Sequence, residues 1–282
     1  MSLGAISHLA SIPSPSFDSF DLGPFTFRIY GLMYVIAITA ALLITRRRWV
    51  RQGGDPNLPL DVALVAVPAG LIGARLYFLA TSWDEVPDAW WGPFAVWHGG
   101  LSVWGGIAAG TVAGIWVLRR RGADVARFLD AAAPGLLVAQ AIGRVGNYFN
   151  QELFGKPTTL PWGLEIDPAN RPEGYAETAT FHPTFLYEIV WNLGLAALLV
   201  YVGTRSRIRP PGLFALYVAG YSFGRIFEEL LRVDPSHHIL GLRLNFFVSV
   251  LLFAGGLAWF VWSQHRGASR TEVPVVPMRE QG

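Results

Sequence analysis

Residues 128–149 read FLDAAAPGLLVAQAIGRVGNYF, an apolar run long enough to cross a bilayer as a helix. Polar side chains interrupt it at Gln140, Arg144 and Asn147, and with Gln151 they recur at i, i+4, i+7 and i+11. This spacing predicts that all four lie on one helical face. An arginine at the centre of a membrane helix costs about 2.5–3.5 kcal/mol on insertion scales, so we expect a compensating group there, and a bound anion is one candidate.

The composition of the whole chain is that of a membrane protein. Of its 282 residues, 52% are hydrophobic and 15% are charged, against about 25% charged in average soluble proteins. The absence of cysteine excludes disulfides, thiolate catalysis and cysteine-based metal sites. His237 and His238 have no acidic or histidine partner at ligand spacing nearby, so we expect neither a metal nor another cofactor.

Seven apolar runs are long enough to span a hydrocarbon core. They lie near 28–45, 60–80, 101–118, 128–149, 184–203, 211–231 and 244–263. We therefore predict an all-α integral membrane protein whose membrane domain of seven transmembrane helices covers residues 28–265. Residues 1–27 lack the basic start of a cleavable signal peptide and are interpreted as an extracytoplasmic lead, and residues 266–282 as a disordered cytoplasmic tail.

The arginines predict the orientation. They cluster after the first, third, fifth and seventh runs, which fall on one side of the membrane if every run crosses it. Positive residues favour the cytoplasmic side, so the N-terminus is expected outside and the C-terminus inside. The connection at 150–183 contains five prolines and is interpreted as an extracytoplasmic flap between spans four and five. The chain shows no internal repeat, which counts against an inverted-repeat transporter.

A second charged face lies in YSFGRIFEELLR, residues 221–232. Its spacing predicts two i, i+4 ion pairs, Arg225–Glu229 and Glu228–Arg232. One interpretation is a structural ladder that neutralises itself. The other is that one arginine binds an anion while the glutamates adjust its position or take a proton, because polar groups inside membrane spans usually line functional sites.

Other polar residues leave two interpretations open. Arg75 could extend to the outer interface or act as a third cationic contact. His98, in the glycine-rich stretch WHGGLSVWGG, could be a structural hydrogen-bonding group or a base. Tyr30 lies near the outer end of the first span, where tyrosine is common. Glu188, in HPTFLYE, is expected inside the membrane.

Together these motifs resemble a known family. The run GRVGNYFNQELFG at 143–155 resembles the signature of the phosphatidylglycerol–prolipoprotein diacylglyceryl transferases, Gly-Arg-x-Gly-Asn-(aromatic)-x-Asn-x-Glu-x-x-Gly. The matching positions are Gly143, Arg144, Gly146, Asn147, Tyr148, Asn150, Glu152 and Gly155. The resemblance covers roughly residues 25–265 in the same order, through IYGLMY, GARLYF, the double-glycine stretch, HPTFLYE and GYSFGRIFEELLR.

The resemblance implies an enzyme of the bacterial plasma membrane with its active site toward the outer leaflet. It would move the diacylglyceryl group of phosphatidylglycerol to the lipobox cysteine of a preprolipoprotein, forming a thioether and releasing glycerol phosphate. No nucleic-acid partner is expected. By position, the resemblance implies Arg144 and Arg225 as essential arginines and further important residues at Tyr30, Asn147, Glu152, Gly155 and Glu229. We also expect substrate contacts from Asn150, Arg75 and Arg232.

One position departs from the family pattern. Trp104 stands where many members have a histidine that is a candidate base for the thiol. An indole cannot accept that proton, so His98 or Glu229 would assist, or the base lies elsewhere, or none is needed. The rival interpretations are a seven-helix transporter of an anionic solute, a non-catalytic lipid-binding scaffold, and an intramembrane hydrolase. The hydrolase lacks a Gly-x-Ser-x-Gly elbow and paired intramembrane aspartates.

Overall fold

The computed structural model describes residues 11–96, 99–234, 236 and 238–265. Seven long helices dominate this part of the chain. They are α1 Ile29–Arg51, α2 Leu58–Thr81, α3 Val103–Arg120, α4 Val125–Phe149, α5 Thr184–Arg205, α6 Gly212–Leu231 and α7 Leu244–His265. Each coincides with one predicted apolar run. The largest difference is at the end of α1, which continues through its arginines to Arg51 because arginine is a good helix former.

Five of the seven helices are long and apolar enough to cross a membrane: α1, α2, α4, α5 and α7. The other two fall short for identifiable reasons. Helix α3 has only 18 residues, is rich in glycine and ends in Arg119 and Arg120. Helix α6 contains Arg225, Glu228 and Glu229 within 20 residues. The chain is therefore a mostly helical membrane protein, and two of its helices carry charge or glycine in place of apolar side chains.

Short strands add to the predicted all-α architecture. The described residues form three antiparallel two-stranded sheets: β1 Ser19–Leu22 with β2 Phe25–Arg28, β3 Leu164–Glu165 with β4 Thr180–Phe181, and β5 His238–Ile239 with β6 Leu242–Arg243. The first lies in the predicted lead and the second in the predicted flap. Strands of two to four residues are too short to show a period, which is why the sequence analysis missed them.

The described chain forms two compact units, of which one is Leu42–Ala131. Within it, α2 and α3 pack closely through glycines. A Cβ atom on Gly73 would lie 2.6 Å from the carbonyl oxygen of Gly105, and one on Gly70 would lie 3.3 Å from that of Gly106. Small residues allow such approach between membrane helices. The apolar core of this unit is Trp49, Leu58, Leu118, Phe128 and Ala131.

The second unit comprises the described residues on either side of that segment. Helices α4, α5 and α6 share a core there, made of Ala133, Leu137, Ala196, Leu199 and Leu213. Helix α5 fits against α6 because Gly220 and Gly224 leave room for Leu195 and Trp191. The Trp191 Nε1 donates a hydrogen bond to the Gly220 carbonyl oxygen at 2.9 Å. This packing sets the faces on which the charged residues of the three helices meet.

The connection between α4 and α5 has a small core of its own. Phe154, Leu164, Ile166 and Phe181 are buried together. Ile12, from the predicted lead, extends the β3–β4 pair by a bridge to Leu164. Because this connection is packed and hydrogen-bonded, it can hold the residues that follow α4 in a defined position.

Candidate active site

Arg144 lies near the carboxyl end of α4, which stops at Phe149. Its Nε forms an ion pair with Glu188 of α5. Its Nη1 donates to Oδ1 of Asn147, 2.9 Å away. The side chain is 20% exposed.

Arg225 approaches the same point from α6. Its Nη1 pairs with Glu188 and, at 2.8 Å, with Oε2 of Glu228. Its Nη2 pairs with Glu229. The predicted Arg225–Glu229 pair is thus formed. The predicted Glu228–Arg232 pair is replaced by Glu228–Arg225, because α6 ends at Leu231 and Arg232 has an extended backbone that turns its side chain toward Asp234.

Glu188 therefore joins the two arginines. It lies one turn into α5, which begins after Pro183, and only 4% of the residue is exposed. The sequence predicts that Glu188 lies inside the membrane but does not assign it to the site. The signal that could have found it was an acid in the first turns of an apolar helix, where an unpaired carboxylate would be costly.

A second group of ion pairs lies beside the first. Glu229 is fully buried and shares its carboxylate between Arg225 and Arg243, whose Nε is 2.7 Å from Glu229 Oε2. Arg232 binds both oxygens of Asp234, at 2.7 and 2.8 Å, and Arg243 binds Asp234 as well, at 2.8 Å. Burial raises the pKa of Asp234, but the hydrogen bonds and charges of Arg232 and Arg243 outweigh it, so the pKa is lowered overall. Arg243 is not among the site residues predicted from the sequence.

The turn after α4 presents Glu152. Its Oε1 accepts hydrogen bonds from Nδ2 of Asn147 at 2.6 Å and from Nδ2 of Asn150 at 3.3 Å. Gln151 and Leu153, on either side of it, have φ of +51° and +58°. Residues other than glycine rarely adopt this backbone region, and such strain clusters at functional sites.

The prediction that Gln151 continues the polar face of α4 is wrong. The helix ends at Phe149, so Gln151 no longer follows helical periodicity. Its Nε2 donates to Oδ2 of Asp167 at 2.6 Å, and its Oε1 accepts from the Asp167 backbone N–H at 2.9 Å. This pair of hydrogen bonds ties the strained turn to a later part of the connection between α4 and α5.

Gly155 and Tyr30 each take part in close packing, Gly155 against His182 and Tyr30 against Gly146. The Gly155 backbone N–H donates to the His182 carbonyl oxygen at 2.9 Å, and a Cβ at Gly155 would lie 2.8 Å from Cβ of His182. The Tyr30 ring covers Gly146 of α4, where a Cβ would lie 2.6 Å from the ring. The Tyr30 hydroxyl is 3.1 Å from that of Tyr34. Both glycines therefore permit close approach of a neighbouring segment.

Arg75 has a different environment, within the Leu42–Ala131 unit. It is 7% exposed, so it does not extend to the interface. Its guanidinium donates to four backbone carbonyl oxygens at 2.7–3.0 Å, those of Gly92, Pro93, Gly99 and Gly100. These contacts favour a structural role in holding the loop after α2 over a substrate contact. His98 lies outside the described residues, and Trp104 is 47% exposed on α3.

Two cavities adjoin the arginines. A narrow crevice is lined by Arg144, Asn147, Leu153, Thr184, Phe185, Glu188 and Arg232. A wider cavity of about 600 Å³ shares Leu153 with it and is lined by Glu152, by other residues of the connection between α4 and α5 and by Asp234. Of the predicted site residues, the structure brings together Arg144, Asn147, Asn150, Glu152, Arg225, Glu229 and Arg232 around this pair of cavities.

Known proteins are similar to this sequence over most of its length. The family model described as prolipoprotein diacylglyceryl transferase matches residues 18–262. A phosphatidylglycerol–prolipoprotein diacylglyceryl transferase 2 of Streptomyces coelicolor is 50% identical over 92% of this chain and 82% of the relative. Relatives named as the same transferase are 47% identical in Cutibacterium acnes, over 91% of this chain and 88% of the relative, and 48% identical in Frankia alni, over 88% and 66%. The chain therefore belongs to the prolipoprotein diacylglyceryl transferase family.

Proposed function

We propose that this chain transfers the diacylglyceryl group of phosphatidylglycerol to the lipobox cysteine of a preprolipoprotein. The cysteine sulfur attacks the glyceryl carbon that bears the phosphate. A carbon–sulfur bond forms, the carbon–oxygen bond breaks, and glycerol phosphate leaves. The acceptor supplies the thiol, which suits a chain without cysteine.

The observation that carries this proposal is the convergence of Arg144 and Arg225 on one carboxylate. A guanidinium that binds a carboxylate also fits a phosphate, because each anion presents two oxygens that the planar guanidinium can bind in a bidentate manner. The two arginines come from different helices, so an anion between them would be held from two sides. Their charge would stabilise the negative charge that develops on the departing phosphate.

The residues around Glu152 are proposed to shape the remainder of the site. Asn147 contacts both Arg144 and Glu152, so it links the anion-binding arginines to the wider cavity. That cavity contains the space and the polar wall that an acceptor segment with a cysteine would need. Arg232 lines the narrow crevice and adds positive charge near Arg144.

We propose that all seven helices cross the plasma membrane, with the N-terminus outside and the C-terminus in the cytoplasm. The arginine clusters after α1, α3, α5 and α7 support this orientation. The flap between α4 and α5 would then lie on the outer side, with the active site open toward the outer leaflet. The charges of α6 are compatible with a membrane span because they are neutralised. Arg225 pairs with Glu228 and Glu229 of the same helix and with Glu188, and Glu229 also pairs with Arg243.

The test is product formation by the purified protein. Phosphatidylglycerol with a labelled acyl chain is mixed with a lipobox peptide, with and without EDTA, and the peptide is analysed by mass spectrometry. The expected product is a diacylglyceryl thioether on cysteine, equal in both conditions and absent with a serine peptide. Arg144→Ala should abolish it, whereas Arg121→Ala, at an exposed ion pair with Asp61, should retain it. Tight lipid binding without product would favour the scaffold, and solute flux in proteoliposomes without product would favour the transporter.

A further inference from the structure

Glu188 is paired with the two groups that the proposed function assigns to the phosphate. Its carboxylate contacts Arg144 and Arg225, its side chain is 5% exposed, and it lines the narrow crevice. A phosphodiester entering this crevice would meet Arg144, which lines it, and would compete with Glu188 for Arg144 and for Arg225, the second partner of Glu188. Glu188 would then be a buried carboxylate whose compensating charges have been drawn to another anion, which is costly unless it takes up a proton.

The charge of the cluster leads to the same conclusion. Among the described residues, four guanidinium groups and five carboxylates are connected by ion pairs or through Asn147. They are Arg144, Arg225, Arg232, Arg243, Glu152, Glu188, Glu228, Glu229 and Asp234. Four positive and five negative charges leave −1 before any substrate binds. A phosphodiester would make it −2, and one proton on a carboxylate restores −1.

The other carboxylates are less suited to receive that proton. Glu229 and Asp234 retain Arg243, which lies outside the crevice. Glu228 does not line the crevice either. Glu152 is partly exposed and held by two neutral amide donors, so its charge is not tied to the arginines that would bind the phosphate.

We propose that Glu188 is the proton acceptor for the attacking thiol, released for this role when the phosphodiester takes over Arg144 and Arg225. This inference rests on the proposed function. In the step, the S–H proton moves to a Glu188 oxygen, the sulfur forms its bond to the glyceryl carbon, and the bond from that carbon to the phosphate oxygen breaks. Glycerol phosphate leaves with the electron pair and takes the proton from Glu188, and the arginines return to the carboxylate. With Glu188 as the base, the reaction does not require the histidine that many family members have where this chain has Trp104.

The test compares cysteine and selenocysteine acceptors. A selenol is much more acidic than a thiol and is ionised at neutral pH without a base. Glu188→Gln should lower the transfer rate to the cysteine peptide by about 100- to 10,000-fold, the usual contribution of a positioned base. With the selenocysteine peptide the loss should be less than about tenfold. Phosphatidylglycerol should bind Glu188→Gln at least as tightly as wild type, because its competitor for the arginines has lost its charge.

A matched control separates proton transfer from structure. Glu228→Gln removes another carboxylate that pairs with Arg225, and it should lower the rates with both peptides by the same factor. Glu188→Asp keeps an acceptor and should retain more cysteine activity than Glu188→Gln at an equal melting temperature. Equal losses with both peptides for Glu188→Gln, or rescue by selenocysteine in Glu152→Gln instead, would overturn the inference. Absence of product from wild type with either peptide would refute the proposed function itself.

Discussion

The Nδ2 of Asn147 lies 2.6 Å from Oε1 of Glu152, across the point at which α4 ends. The amide thus connects the last turn of a membrane helix to a strained turn outside it. Its other polar atom accepts from Arg144. Because one amide supplies both the donor and the acceptor, its orientation couples the arginine to the glutamate.

Asn147→Asp should therefore lower activity strongly, although the two side chains are nearly equal in size. The substitution removes the donor and places a second carboxylate against Glu152, while Arg144 keeps an acceptor. A hydrogen bond to a charged group contributes about 1.5–3 kcal/mol, so we expect kcat/KM to fall by about 10- to 150-fold. The control is Asn150→Asp, whose contact with Glu152 is longer, at 3.3 Å. A fall at least as large for Asn150→Asp would contradict this assignment.

Gln151 and Asp167 are joined by a pair of hydrogen bonds, so a substitution at Asp167 should rescue a damaging substitution at Gln151. Gln151→Glu sets two carboxylates 2.6 Å apart and should loosen the turn that presents Glu152. We expect kcat/KM to fall by about tenfold, in line with one lost hydrogen bond to a charged group. Adding Asp167→Asn restores a donor opposite the new carboxylate, and it leaves the backbone N–H of residue 167 in place. The double variant should recover most of the activity, and failure to recover would argue against these contacts.

Arg75 offers a test between structural and substrate roles. Arg75→Lys keeps the charge, but a single ammonium group cannot reach four carbonyl oxygens from the position of a planar guanidinium. Leaving buried acceptors unpaired costs about 1–3 kcal/mol each, so the melting temperature in detergent should fall by several degrees. Arg121→Lys, at a side chain that is 57% exposed, should leave it nearly unchanged. An unaltered melting temperature with a raised KM for phosphatidylglycerol would instead support a substrate contact.

Asp234 predicts a dependence of stability on pH. Its pKa is lowered in the folded protein because Arg232 and Arg243 outweigh the effect of burial. A lowered pKa contributes stability that is present above the unfolded value of about 3.9 and is lost as the pH falls through the folded value. Asp234→Asn should therefore melt below wild type at pH 7. The gap between them should narrow as the pH is taken from 5 toward 3, and a constant gap would exclude this carboxylate as its source.

The positions of the helices could be predicted from the sequence because the signals are local. Helix α4 ends at Phe149, the residue at which its predicted span ended. The pair Arg225–Glu229 also followed from i, i+4 spacing within one continuous helix. The same rule failed for Glu228–Arg232 and for Gln151, because each pattern was extended past the end of its helix. The hairpins were missed because strands of two to four residues carry no usable period.

By itself, the sequence determined a membrane protein of seven long helices and the chemistry available in two of them, since apolar length and charge spacing act along the chain. Only the tertiary structure decided which charges meet. Glu188 of α5 lies between arginines of α4 and α6, and Arg243 shares Glu229 with Arg225, as a result of how the helices are rotated and packed. Contacts between helices depend on side chains far apart in sequence, and the electrostatic cost of burial selects the partners that compensate each charge.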